Sequence, residues 1–309
     1  MKIVKWGVIT LTILIIIGII LLGVGNYFYN LALNPNSSKS LVLEQDTKET
    51  SAIREENWIS DQSNYCDEEI ESFDNLKLHG YKINNKNSNV WVITVHGYMG
   101  SGAKMAFYAE NFYNMGYNVL VPDLRGHGKS EGNYIGMGWN DRKDILRWID
   151  LILKENNNAE IILHGVSMGG ATVMMTSGEE LSENIKCIIE DCGYSSVVDE
   201  FEDKLKNIFN LPKTPILQVA DLLSRVRAGY WFSDASSVSQ LKKAKVPILF
   251  IHGDKDDFVP YDMLDKVYNA ADVEKEKLVV EGAEHAKSAY VNPELYWNTI
   301  SKFINKHLG

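Results

Sequence analysis

Gly165-Val166-Ser167-Met168-Gly169 constrains this chain more than any other stretch, because of what flanks it. The apolar run Glu160–His164 reads as a buried strand directly before it, and Ala171–Glu180 reads as a helix directly after. A chain that passes from strand to helix in so few residues must turn sharply at Ser167. The residues two before and two after that serine must then be tiny, and both are glycine. Such a turn strains the serine and exposes it at the carboxyl end of a sheet, beside the N–H groups and positive dipole of a helix N-terminus. Ser167 is therefore the candidate nucleophile, and the N–H of Met168 a candidate donor to a developing oxyanion.

The rest of the body fits that local geometry. Strand-like runs occur at Glu69–Phe73, Leu76–Tyr81, Val90–His96, Asn118–Pro122, Glu160–His164, Ile185–Asp191, Val246–His252 and Lys277–Val280. Several are continuous Val/Ile/Leu stretches, as strands buried on both faces of a parallel sheet should be. Helical patterns alternate with them at Lys104–Met115, Trp139–Glu155, Met168–Glu180, Tyr261–Ala271 and Pro293–His307. The expectation is an α/β class chain with a mostly parallel, doubly wound, eight-stranded sheet whose first two strands form an antiparallel edge hairpin around Asp74-Asn75. Residues 194–240 break the rhythm with many Phe, Leu, Ile and Trp side chains and read as two or three short helices, a small lid.

These motifs together resemble the α/β-hydrolase superfamily, over residues 66–309. In that family the order is serine, acid, histidine. The turn His252-Gly253-Asp254-Lys255-Asp256-Asp257-Phe258-Val259-Pro260 is similar to the family's HGxxDxxVP, which points to Asp256 as the acid. Asp254 and Asp257 are neighbours the turn can also present, and Asp191 is an alternative acid position. The loop Glu281-Gly282-Ala283-Glu284-His285 is similar to the family's GAxH and makes His285 the general base. Five of the other six histidines precede a glycine and belong to strand ends or turns, and His307 lies in the terminal helix. His96-Gly97-Tyr98-Met99-Gly100 matches HGxxG, nominating the Tyr98 N–H as the second oxyanion donor. Asp123-Leu124-Arg125-Gly126-His127-Gly128-Lys129-Ser130 resembles DxRGHGxS, a turn that is scaffold rather than chemistry. Within the superfamily, Glu190–Ser196 followed by a helical lid is similar to bacterial enzymes akin to bile-acid-CoA acyltransferase/thioesterases and prolyl-oligopeptidase catalytic domains.

The amino-terminal end adds a second constraint. Residues 6–25 carry no charge, and 20 residues at 1.5 Å each span ~30 Å, the hydrocarbon thickness of a bilayer. The run exceeds the ~7–15 residues of a signal peptide's apolar region, and Asn26-Tyr27-Phe28-Tyr29 reads as an interfacial aromatic belt. An uncleaved single-pass anchor is expected over residues 1–30, then a tether and approach segment over 31–65, then a catalytic domain over 66–309. Lys2 and Lys5 precede the span, and no Lys or Arg follows until Lys39. That asymmetry leaves the N-terminus cytoplasmic and the body outside, at the cell membrane.

Beyond residue 30 there are 29 basic and 41 acidic residues, a net charge of −12. So acidic a body offers nucleic acid no footprint. Neither metal-ligand spacing nor a cofactor motif is present, so no cofactor and no metal is expected. The resemblance and the apolar lid imply a serine esterase (EC 3.1.1) cleaving small-molecule acyl esters through an acyl-enzyme. A serine peptidase, an acyl thioesterase and a non-catalytic binding protein on the same fold are the alternatives.

Overall fold

A computed structural model of the chain describes residues 2–43, 58–62, 64–86 and 88–308. Eight strands form one sheet in the order β1-β2-β4-β3-β5-β6-β7-β8. They are β1 Tyr65–Glu71, β2 Lys77–Ile83, β3 Val90–Val95, β4 Asn118–Pro122, β5 Glu160–Val166, β6 Ile185–Asp191, β7 Ile248–Gly253 and β8 Lys275–Val280. β1 and β2 pair antiparallel, and β2 meets β4 antiparallel. Every pairing from β4 across to β8 is parallel. β4 and β7 are buried at every position, as strands covered on both faces must be.

Helices Asp141–Glu155, Met168–Thr176 and Asp262–Ala270 pack one core against one face of the sheet. Helices Ala106–Asn114 and Pro293–His307 pack a second core against the other. The chain leaves β3 toward β4 on one side and returns to β5 on the other. The order therefore reverses between β3 and β5, and the crevice beyond their carboxyl ends is where an open α/β sheet binds ligands.

Of the strand boundaries that depart from the sequence pattern, two have plain physical causes. β1 begins at Tyr65 rather than Glu69, because its full length pairs with β2 from Tyr65↔Ile83 to Glu71↔Lys77. Its Asp67-Glu68-Glu69 run hid it from an apolar search, yet charges suit an edge strand that must not recruit partners. β7 begins at Ile248 rather than Val246, since Pro247 has no N–H to give to a ladder.

The amino-terminal helix runs from Lys2 to Leu33 and is long and apolar enough to cross a membrane. It continues past the expected boundary at residue 30. Residues 5–17 are exposed along their length, whereas Gly25, Tyr29, Leu31 and Leu33 are buried against the body. A Cβ on Gly25 would sit 2.4 Å from Cγ1 of Val219, so glycine there permits the helix to lie directly on helix Ile216–Arg227. Lys39 folds back and donates to the carbonyls of Leu31 and Asn34 at 2.5 and 2.9 Å, closing the helix end. The segment expected as a tether is thus folded at both of its ends. Its first residues pack on the body, residues 58–61 are helical with Ile59 buried in the second core, and residues 44–57 lie outside the described ones.

The lid is an excursion between β6 and β7 built from helices Val197–Asn207, Ile216–Arg227 and Ser237–Leu241. A bridge between Ser196 and Ser236 ties its two ends together. The same two serines cap the helices that follow, accepting from the N–H groups of Asp199 and Ser239.

Candidate active site

The turn after β5 holds Ser167 at φ +58° and ψ −119°, a left-handed conformation that a serine adopts only under constraint. The constraint is visible in the glycines. A Cβ on Gly165 would meet the Gly169 carbonyl at 2.2 Å, and one on Gly169 would meet the Val95 carbonyl at 2.0 Å. The Ser167 N–H is anchored on the Asp191 carbonyl at 2.8 Å.

Three side chains from separate loops meet at this turn. Ser167 Oγ lies 2.8 Å from Nε2 of His285, and His285 Nδ1 lies 2.8 Å from Oδ2 of Asp256. Asp256 is buried and its Oδ1 accepts the N–H groups of Phe258 and Val259. Burial alone would raise the Asp256 carboxyl. Hydrogen bonds from His252 and His285 outweigh it and bring the pKa down to about 2, so a carboxylate faces the imidazole.

The other acids left open by the sequence go elsewhere. Asp254 Oδ1 accepts the Gly282 N–H, and Asp257 is exposed. Asp191 Oδ2 accepts the Tyr296 hydroxyl, and burial pushes its pKa up to about 6. Cys192, Asp256 and His285 place their ligand atoms within 4.8 Å of one another, close enough to hold a metal ion. Its Asp and His are already engaged with each other and with Ser167.

The two nominated N–H donors flank the serine. Met168 is the first residue of helix Met168–Thr176, where an N–H has no intrahelical partner. The Gly97 backbone passes so close that a Cβ there would lie 3.2 Å from Cβ of Ser167, which brings the Tyr98 loop alongside. That loop is fastened to the Asp123–Ser130 turn. His96 Nε2 accepts the Leu124 N–H, and His127 Nε2 accepts the Met99 N–H. Beneath it, buried Arg125 bonds Asp144 and Asp74.

A pocket opens above Ser167, and its lining is almost wholly apolar. The lid contributes Phe201, Leu205, Phe209, Ile216, Leu217 and Phe232. Phe258 and Val259 come from the acid loop, and Met137 and Tyr194 from the body. Sequence reasoning missed a third source. Phe28, Leu31 and Ala32 of the amino-terminal helix form part of the wall, and the Phe28 ring packs edge-on against Phe209 at 5.1 Å. The aromatic cluster 27–29 was the available signal, and it had a simpler reading as an interfacial belt.

Two charged residues, Glu200 and Lys204, also line the pocket. Glu200 is buried, and burial pushes its carboxyl up to about 7 despite Lys204 at 3.2 Å from its Oε1. Its Oε2 has no partner among the described residues. Trp231, expected with the lid's pocket residues, stands outside the lining with its side chain partly exposed.

Comparison with known proteins agrees with this architecture. The family described as serine aminopeptidase S33 matches residues 86–192, from the turn before β3 to the end of β6. The uncharacterized protein YqkD of Bacillus subtilis is 28% identical over 229 residues, covering 74% of this chain and 75% of that one. A thermostable monoacylglycerol lipase of a Bacillus species is 24% identical over 258 residues, covering 72% of this chain and 94% of the lipase. Among solved structures, an esterase of Pyrococcus furiosus superposes with a TM-score of 0.65 at 27% identity, covering 81% of this chain and 93% of the esterase. The chain is a hydrolase of the α/β-hydrolase superfamily.

Proposed function

We propose that the chain is a membrane-anchored serine esterase that cleaves acyl esters through Ser167, His285 and Asp256. The observation that carries this reading is the unbroken hydrogen-bonded line from Asp256 through His285 to Ser167, opening into an apolar pocket. Ser167 Oγ attacks the ester carbonyl carbon while His285 Nε2 takes its proton. Asp256 holds the imidazole's tautomer and steadies the imidazolium. The N–H groups of Tyr98 and Met168 receive the negative oxygen. Collapse expels the alcohol, which takes the proton from His285. Water, deprotonated by His285, then attacks the acyl-serine and releases the carboxylic acid.

The apolar lining suits an acyl chain, and Glu200 offers a hydrogen-bonding partner within the same pocket. The likeness to an esterase and to a monoacylglycerol lipase supports the same choice. The amino-terminal helix supplies the anchor, with Lys2 and Lys5 holding the N-terminus on the cytoplasmic side. The match to a family described as an aminopeptidase favours a peptidase as the second reading.

One screen separates the two. Acyl esters of graded length are run beside aminoacyl arylamides and acyl thioesters, with Ser167→Ala as control. Ester turnover that vanishes in the variant, together with fluorophosphonate labelling lost at residue 167, is the expected result. Preferred arylamide cleavage would replace the esterase by a peptidase, and equal labelling of the variant would remove Ser167 as nucleophile.

A further inference from the structure

The pocket shares its walls with the membrane anchor, and this fixes where its substrate comes from. Phe28, Leu31 and Ala32 of the amino-terminal helix face Ile216, Leu217 and Ala220 of the lid across the same cavity. These two helices also pack on each other at Gly25 and Val219. The charge-free stretch that remains outside the body, residues 6–23, is 18 residues or ~27 Å long, which matches the hydrocarbon core of a bilayer. Phe28 follows by little more than one turn, so the pocket begins within ~10 Å of the hydrocarbon boundary.

The outer side of the lid continues the same apolar surface. Val219, Leu222 and Val226 follow the i, i+3, i+7 spacing of one helix face. The first lies on Gly25, while Leu222 and Val226 are 47% and 74% exposed, and Trp231 beyond them is 37% exposed. Arg225 and Arg227 flank this face in the helix's last turn, and the Arg227 guanidinium lies over the Tyr29 ring at 4.9 Å. Exposed aliphatic side chains and a tryptophan edged by arginines are what a helix resting in a lipid headgroup layer presents. The charge-free helix leaves the body beside this patch, so the surface that covers it is the bilayer holding that helix.

From this we infer that the substrate is a membrane-resident amphiphile, an ester of a fatty acyl chain, which passes from the bilayer into the pocket along the seam between the anchor helix and helix Ile216–Arg227. The inference rests on the esterase reading and narrows it: the lid's outer face docks on lipid and delivers the ester to Ser167.

The test uses the full-length protein in phosphatidylcholine vesicles with two esters, a long-chain fluorogenic acyl ester held in the bilayer and the water-soluble p-nitrophenyl butyrate. Leu222 and Val226 do not line the pocket. The double variant Leu222→Asp, Val226→Asp should lose at least ten-fold on the bilayer ester and stay within two-fold on the soluble one. Equal losses on both esters, or none on either, would overturn the inference. Failure of the esterase reading looks different: wild type would turn over neither ester, or the Ser167→Ala variant would match it on both. A second readout needs no turnover. Lipids brominated in the acyl chain should quench emission from Trp6 in the spanning stretch and from Trp231, and Trp231→Phe should lose the second share while keeping the first. Identical quenching in the two proteins would place the lid's outer face away from lipid and overturn the inference.

Discussion

The hydroxyl of Tyr98 donates to the carbonyl of Ala32 at 2.7 Å, so the loop beside Ser167 is tied to the last turn of the amino-terminal helix. Tyr98→Phe removes this bond but keeps the backbone N–H. Losing one buried hydrogen bond costs ~1–2 kcal/mol of stability. The melting temperature should fall by several degrees while kcat on a soluble ester drops less than ten-fold. A drop of a hundred-fold or more would mean that the tie itself sets the geometry of the Tyr98 N–H.

Truncation should be sensitive to where the cut falls. Removing residues 1–23 takes away no buried residue among the described ones, so the product should fold and hydrolyse soluble esters at close to the full-length rate. Removing residues 1–33 takes away Tyr29, Leu31 and Leu33, all buried, and Phe28 from the pocket wall. Each buried side chain contributes ~1.5–3 kcal/mol, so this product should melt far lower and lose acyl-length preference. A cut after residue 30, the boundary expected from the sequence, removes Phe28 and Tyr29 as well. Melting temperature and kcat/KM of the three products test the ranking.

Asp256→Asn should lower kcat by ~10³–10⁴-fold, the scale of removing the orienting acid in a serine hydrolase. Asp254→Asn and Asp257→Asn should each cost less than ten-fold, since neither side chain reaches His285. A large loss for Asp191→Asn with a small one for Asp256→Asn would reassign the acid.

Stability should decline with rising pH, with a definite sign. The Glu190 carboxyl is completely buried, and burial raises it from its ordinary 4.5 to about 8, against a smaller opposing effect of His252. A group whose folded pKa is raised holds its full stabilising contribution below the unfolded value and loses it as pH climbs through the folded one. The decline should therefore fall between about pH 4.5 and 8, at up to ~1.4 kcal/mol per pH unit for this one proton. Glu190→Gln removes the proton and should flatten that part of the curve. Urea unfolding at pH 5, 6.5 and 8 measures it, and an unchanged slope in the variant would put the pH dependence on other groups.

Phe209→Ala should shift the preference between short and medium acyl esters by ~1–3 kcal/mol, because its ring lines the pocket. Trp231→Ala should leave that preference alone. Matching shifts in the two variants would mean that both act by loosening the lid as a whole.

What the sequence could announce was chemistry confined to a short local pattern. The turn at Ser167 permits glycine and nothing larger at 165 and 169, so the two small residues advertise the strain between them. The loops ending at Asp256 and His285 likewise carry their own spacing. The motif spacing pointed to Asp256 but left Asp254 and Asp257 open, because which acid meets His285 depends on how the turn folds. The pocket wall was also hidden. Phe28 and Phe209 are 181 positions apart and belong to segments with no shared periodicity, and their contact depends on a packing that only the folded chain creates. Glu200 was equally silent, since a carboxyl on an amphipathic lid helix reads as solvent-facing until the pocket closes around it.

Gly25 on Val219 and Tyr98 on Ala32 fasten the amino-terminal helix where it enters the body, and Lys39 closes its last carbonyls. Helix and hydrolase must turn as one piece. A spanning helix accommodates a thicker bilayer by standing more upright and a thinner one by leaning over. In a jointed protein that adjustment would be absorbed at the joint. On the proposed reading, in which this helix spans the bilayer, the adjustment is passed on, and the angle at which the active-site mouth meets the lipid surface follows the thickness of the host membrane.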